Sequence, residues 1–164
     1  MKSGVVFPLL TAGWLAFGFT PPAWGGADVI RNPSPEAQAA VADTVRPVFR
    51  AAEERDIDRL EALHLYGPKF SKFDEFGLGR ETADEARSAE RAGLSQVKSL
   101  KVTVEGLKVD VFGVAAVATF FVHYRAETSQ GDAAATLRST VVLVKDAATW
   151  RIAHEHFSPL VTTR

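Results

Sequence analysis

The sequence predicts an α+β fold, with about three N-terminal helices covering one face of a curved antiparallel sheet. Three observations carry that expectation. Apolar residues recur at helical spacing only in the first part of the chain. From Leu100 to Ser158 the pattern changes to period two. Short turn sequences join the strand-like runs, so the strands form a meander with the helices segregated to one side. Strands of ten or more residues are longer than usual and must twist and curl. Gly106, inside the first of them, offers a place to bend. A curled sheet with helices across its mouth is a cone with a cavity.

The first 27 residues read as an export signal. Lys2 gives a short positive start, Val5 to Phe19 is apolar and uncharged, and Pro21-Pro22 breaks the run. Ala23 to Ala27 supplies small residues, and cleavage after Gly25 or Ala27 fits. The apolar run is short of the roughly 20 residues that cross a bilayer, so a periplasmic or secreted protein with no membrane attachment after cleavage is expected. Residues 28–34 form a linker and residues 35–164 the domain.

Within the domain, Ser34 is placed to cap the first helix and Pro35 suits its first position. Val41, Val45, Val48, Phe49 and Ala52 share one face, and Pro47 should kink or divide the helix. Asp56 caps a second, short helix with Ile57, Leu60 and Leu63 inward, ended by Gly67-Pro68. The aromatic-rich run Lys69 to Phe76 holds a short strand, and Gly77 and Gly79 make a loop. Thr82 with Glu85 is a capping box for a largely exposed third helix from about Ala83 to Arg91. Four strands follow: Leu100 to Val111, Val114 to Glu127, Thr136 to Lys145 and Thr149 to Ser158.

Composition excludes several classes of function. The net charge of −1, with no Lys/Arg run of five, gives no field directed at nucleic acid or an anionic membrane. With no cysteine there is no disulfide, Cys nucleophile, Cys-ligated zinc or lipid anchor on cysteine. No Gly-rich phosphate loop, nucleophile elbow, His-Glu-x-x-His helix or calcium loop is present.

Alternation in the last strand predicts Trp150, Ile152, His154 and His156 on one face. A three-residue turn at Asp146 to Ala148 would set Thr140 opposite His154 and Arg138 opposite His156. Those four polar side chains would form one wall of the pocket. Arg138 suits a carboxylate or phosphate, and His154 or His156 suits acid–base work near neutral pH. His123 and Arg125 end the most apolar strand and mark either a pocket mouth or emergence into solvent. Tyr66, Phe70, Phe73 and Asp74 belong to a segment expected near the opening, with Asp74 as candidate base or a solvated loop carboxylate. His64 falls at the end of the second helix, where a histidine favours the C-terminus without any functional role. A His-x-His pair on a strand places alpha carbons roughly 6.5 Å apart, and His123 adds a third imidazole. No carboxylate is evident on that face, so neither a metal nor another cofactor is expected.

Trp150 to Pro159, the entry Arg55-Asp56-Ile57-Asp58-Arg59-Leu60 and the segment Tyr66 to Asp74 together resemble SnoaL-like domains of the nuclear transport factor 2-like superfamily. The resemblance implies a cone of three helices and a curved mixed or antiparallel sheet, with homodimers usually formed through the sheet's outer face. It spans isomerase-like enzymes, dehydratases, cyclases and binding domains, so it does not fix a reaction. Binding of a small organic ligand is the first expectation. An isomerase, dehydratase or cyclase would use His154 or His156, with Asp74 as partner and Arg138 or Tyr66 stabilising an oxyanion. A dimeric interaction module would use Val141, Leu143 and Phe157 as its seam.

Overall fold

The structure, a computed structural model, describes residues 29–160 apart from Phe76 and Leu78. The proposed signal, residues 1–27, lies outside the described residues. Helix α1 spans Pro35–Glu54, α2 Ile57–Ala62 and α3 Ala83–Gln96. The strands are β1 Ser71–Phe73, β2 Arg80–Glu81, β3 Val97–Phe112, β4 Ala115–Thr128, β5 Gly131–Asp146 and β6 Thr149–Pro159. They form one open, curved, mixed sheet in the order β2-β1-β6-β5-β4-β3, in which only β1 and β6 run parallel.

Helix α1 lays Val41, Val45, Val48 and Ala51 on the concave face of the sheet, against Ala116, Ala118 and Phe120 of β4 and Leu137, Val141 and Leu143 of β5. Phe49 meets Phe120 edge-on at 5.6 Å. Polar contacts tie the helix to the edge strand: Val102 N–H donates to Glu53 at 2.8 Å, and the Gln38 amide to Val109 O at 2.9 Å. Pro47 does not divide α1. The carbonyl it leaves without a helical partner belongs to Asp43, an exposed residue. Ser34 does not cap through its side chain, because it takes a left-handed conformation at φ 43. The caps at Asp56 and Thr82–Glu85 form as the sequence predicts. Glu61 of α2 receives Arg87 and Arg91 of α3, holding the two helices together.

The bend at Gly106 is present, with φ 66 and a register shift between Glu105 and Lys108. Two further irregularities lie in β5 and β6. The β5–β6 turn has two residues, pairing Asp146 with Thr149, and Ala147 takes φ 53. Tight hairpins favour Gly or Asn at such a position, and alanine gives no such signal. A bulge then intervenes: Leu143 pairs with Ile152 but Val142 with His154, leaving Ala153 over. One extra residue moves all that follow to the opposite face. Trp150 and Ile152 point inward, and beyond the bulge it is Glu155 that is buried.

Expected pairings are corrected accordingly. Thr140 pairs with His156, and Arg138 with Ser158. Arg138, Thr140, His154 and His156 share a face, but it is the outer one, opposite Trp150 and Ile152. The proposed seam of Val141, Leu143 and Phe157 is also corrected. Val141 is 1% and Leu143 0% exposed beneath α1, and Phe157 lines the cavity.

Candidate functional site in the cone

A cavity of about 580 Å³ lies between the concave face of the sheet, α1 and α3. Its body is apolar, built from Val48 and Phe49 of α1, Leu94 of α3, Leu100 and Val102 of β3, Val122 of β4 and Leu137 of β5. The exposed residues Gly77, Ala89 and Gly93 mark its mouth.

Its floor is a buried charged network. The parallel pairing of β1 with β6 puts Lys72 beside Glu155. Lys72 Nζ lies 2.9 Å from Glu90 Oε1, 3.3 Å from Glu155 Oε2 and 4.0 Å from Asp74 Oδ2. His64 Nε2 is 3.2 Å from Glu155 Oε1, and its Nδ1 is 2.8 Å from the carbonyl of Leu60. The Tyr66 hydroxyl donates to Glu90 at 2.6 Å, and its ring stacks on His64 at 5.0 Å.

Both nitrogens of His64 thus face acceptors, and a neutral imidazole has only one N–H to give. Burial pushes its pKa down, but the charge of Glu155 and the bond to it outweigh burial, so the net shift is upward. Burial alone would raise Glu155. The Lys72 and His64 cations overcome it and hold Glu155 at about 2. Burial lowers the Lys72 pKa, yet Glu155 and Glu90 carry it well above the usual lysine range. Burial, then the negative charge of Glu90, pushes the Tyr66 hydroxyl up. The floor therefore sets Lys72 and His64 against Glu155 and Glu90.

These shifts set a pH window. Glu155 stabilises the fold fully above its unfolded value of 4.5, and this is lost as pH falls toward its folded value of about 2. His64 stabilises fully below its unfolded value of 6.5, and this is lost as pH rises through its raised folded value. Together they contribute most between pH 4.5 and 6.5. The urea midpoint should decline as pH rises above that window, and His64→Gln should remove most of that decline. A wild-type profile no steeper than that of the variant would contradict a protonated His64.

His64, Glu90 and Glu155 also bring ligand atoms within 4.8 Å of one another, a spacing open to a metal ion. The Lys72 ammonium already sits against both carboxylates, so a metal would have to displace it.

Of the residues singled out in the sequence, Asp74 lines this cavity. Tyr66 and Phe70 line a separate depression of about 310 Å³ beside Arg87, although Tyr66 reaches the network through Glu90. His123, Arg125, Arg138, Thr140, His154 and His156 lie together on the outer face. There His123 bonds Glu105 at 2.7 Å and Thr136 at 2.9 Å, and His154 contacts Ser71 Oγ at 2.9 Å. Sequence reasoning missed Lys72, Glu90 and Glu155 and gave His64 no role. The one available signal was a lysine set between Phe70 and Phe73 in an aromatic-rich segment.

The helices and the curved sheet have the nuclear transport factor 2-like cone fold. Among solved structures, a superfamily member from Salmonella enterica serovar Typhimurium matches with TM-score 0.71 at 19% identity, over 79% of this chain and 95% of that one. A Streptomyces avermitilis protein of the family, provisionally assigned as a dehydratase, matches with TM-score 0.72 at 15% identity, over 78% and 99%. The CaMKII hub of S. rosetta matches with TM-score 0.60 at 21% identity, over 74% and 95%. No curated protein sequence matches. The model of the SnoaL-like domain matches residues 41–162, and the chain belongs to that family.

Proposed function

We propose that this protein binds a small, mainly apolar organic molecule in the cone cavity, with its polar end toward the Lys72–Glu155 floor. The observation that carries this reading is a cavity of about 580 Å³ with apolar walls and a few convergent charged groups at one end. That size and composition suit a small-molecule site. The neutral fluorophore N-phenylnaphthylamine should bind with enhanced emission. Val102→Trp, which fills the cavity, should weaken binding at least about tenfold, a loss of about 1.4 kcal/mol. Arg138→Ala, on the outer face, should not. Equal binding by all three proteins would place the probe elsewhere.

A second reading is an isomerase- or dehydratase-type reaction with Asp74 as base, in place of His154 or His156 on the outer face. It is favoured by Glu75, which lines the cavity beside Asp74 and is held above the usual carboxylate range, first by burial and also by the charge of Asp74. Two carboxyl groups side by side, one of them raised by burial, suit proton transfer. The check is exchange of the α-protons of a cyclic ketone in heavy water, which Asp74→Asn should abolish. Exchange no faster than in buffer would remove this reading.

Two further expectations belong here. Export is supported by the Lys2, Val5–Phe19 and Ala23–Ala27 pattern, and a mature mass that includes Met1 would oppose it. Homodimerisation through the outer face is supported by the exposed Phe73 and Phe121 there, 42% and 41% accessible. Phe121→Asp should then shift a sedimenting dimer to monomer, whereas a monomeric wild-type protein would oppose the seam.

A further inference from the structure

We propose that the cone cavity selects an organic cation, an apolar molecule ending in a protonated amine, over the acid or alcohol of the same shape. The inference rests on the cavity being the ligand site and adds the class of ligand. It starts from the side chains that line the cavity. Five carboxyl groups do so, those of Asp74, Glu75, Glu81, Glu90 and Glu155, against the two cationic groups of His64 and Lys72. Among the described residues, no arginine lines it.

Both cations are already engaged. The Lys72 ammonium faces three carboxylates within 4.0 Å, and both nitrogens of His64 have acceptors. An incoming carboxylate would have to break these pairs and would meet the remaining acids. Acceptors, by contrast, are in surplus. Glu155 is 2% exposed and lines the cavity, yet its Oε2 has no hydrogen bond among the described residues. Its one charged contact is the 3.3 Å approach to Lys72 Nζ, which neutralises its charge and leaves room for a second, better-aligned donor. Glu81 Oε2 is likewise buried without a hydrogen bond. A buried acceptor left unsatisfied is costly and favours a donor that arrives with the ligand. An ammonium brings three donors and no acceptor.

The rest of the cavity agrees. Burial holds Glu81 above the usual carboxylate range, and the charges of Asp74 and Glu90 add to this against the opposing pull of Lys72. Of the charges that act on it, three are carboxyl groups, those of Asp74, Glu90 and Glu85, and one is a cation, Lys72. The rings of Phe49, Tyr124 and Phe157 line the same space, and the Phe157 ring already carries the Lys72 ammonium at 5.6 Å from its centroid, a contact of the kind an organic cation would make.

The test is displacement of bound N-phenylnaphthylamine at neutral pH by adamantylmethylamine, adamantylmethanol and adamantanecarboxylate, which share one apolar cage. The amine should displace the probe at a concentration at least about tenfold below the carboxylate, a factor worth about 1.4 kcal/mol, with the alcohol between them. A carboxylate that competes as well as the amine, an alcohol equal to the amine, or no competition by any of the three would overturn the cation preference while leaving cavity binding intact. Failure of the probe itself to bind would instead overturn the cavity reading, and this inference with it.

Discussion

Lys72→Met should destabilise the protein by about 3–5 kcal/mol, the usual cost of removing one partner from a buried charge pair. The reason lies in what remains. Among the described residues, Glu155 is 2% exposed and keeps His64 as its one cationic contact, while Glu90 keeps the Tyr66 hydroxyl as its one hydrogen-bond donor. With a urea slope of about 1–3 kcal/mol/M, the midpoint should fall by more than about 1 M. Adding Glu155→Leu to Lys72→Met should recover part of the loss, because it removes the stranded carboxylate. Interaction energies between coupled sites run to about 0.5–3 kcal/mol. Strict additivity of the two substitutions would mean that they are not energetically joined, against the 3.3 Å contact.

Ile152→Ala should cost about 2–5 kcal/mol, the range for emptying a buried aliphatic site. Ile152 is 1% exposed and is the last inward residue before the bulge. Its backbone also fastens the end of the helical layer: Ile152 N–H donates to Leu63 O at 3.0 Å, and Leu65 N–H donates to Ile152 O at 2.7 Å. Val142, across the bulge, faces the other way, and Val142→Ala should cost about 1 kcal/mol or less, nearer the range of surface changes. Comparable losses from the two variants would mean that the faces of β5 and β6 are assigned wrongly.

The same bulge separates what was legible in the sequence from what was not. Period-two alternation, the Thr82–Glu85 box, the Asp56 cap and Gly106 are local signals, and each appears in the structure where the sequence places it. The faces of β6 were legible only as far as Ile152. Neither Ala147 nor Ala153 has the chemistry that announces a tight turn or a bulge. His154 and His156, the more conspicuous residues, therefore go to the outer face, and Glu155 between them goes inward. The floor was not legible for a second reason. Lys72 meets Glu155 only because a three-residue strand joins the sheet in parallel, and Glu90 comes from a helix whose sequence reads as exposed. Contacts between segments this far apart in the chain leave no periodicity to read.

The most direct test of the cavity as the functional site is methyl chemical-shift mapping on addition of N-phenylnaphthylamine. The methyls of Val48, Leu94, Leu100, Val102, Val122 and Leu137, which line the cavity, should move together. Those of Val117, Val142 and Val144 on the outer face should stay fixed. Movement of the outer set with the cavity set unchanged would contradict the assignment and return the site to the face that carries His154 and His156.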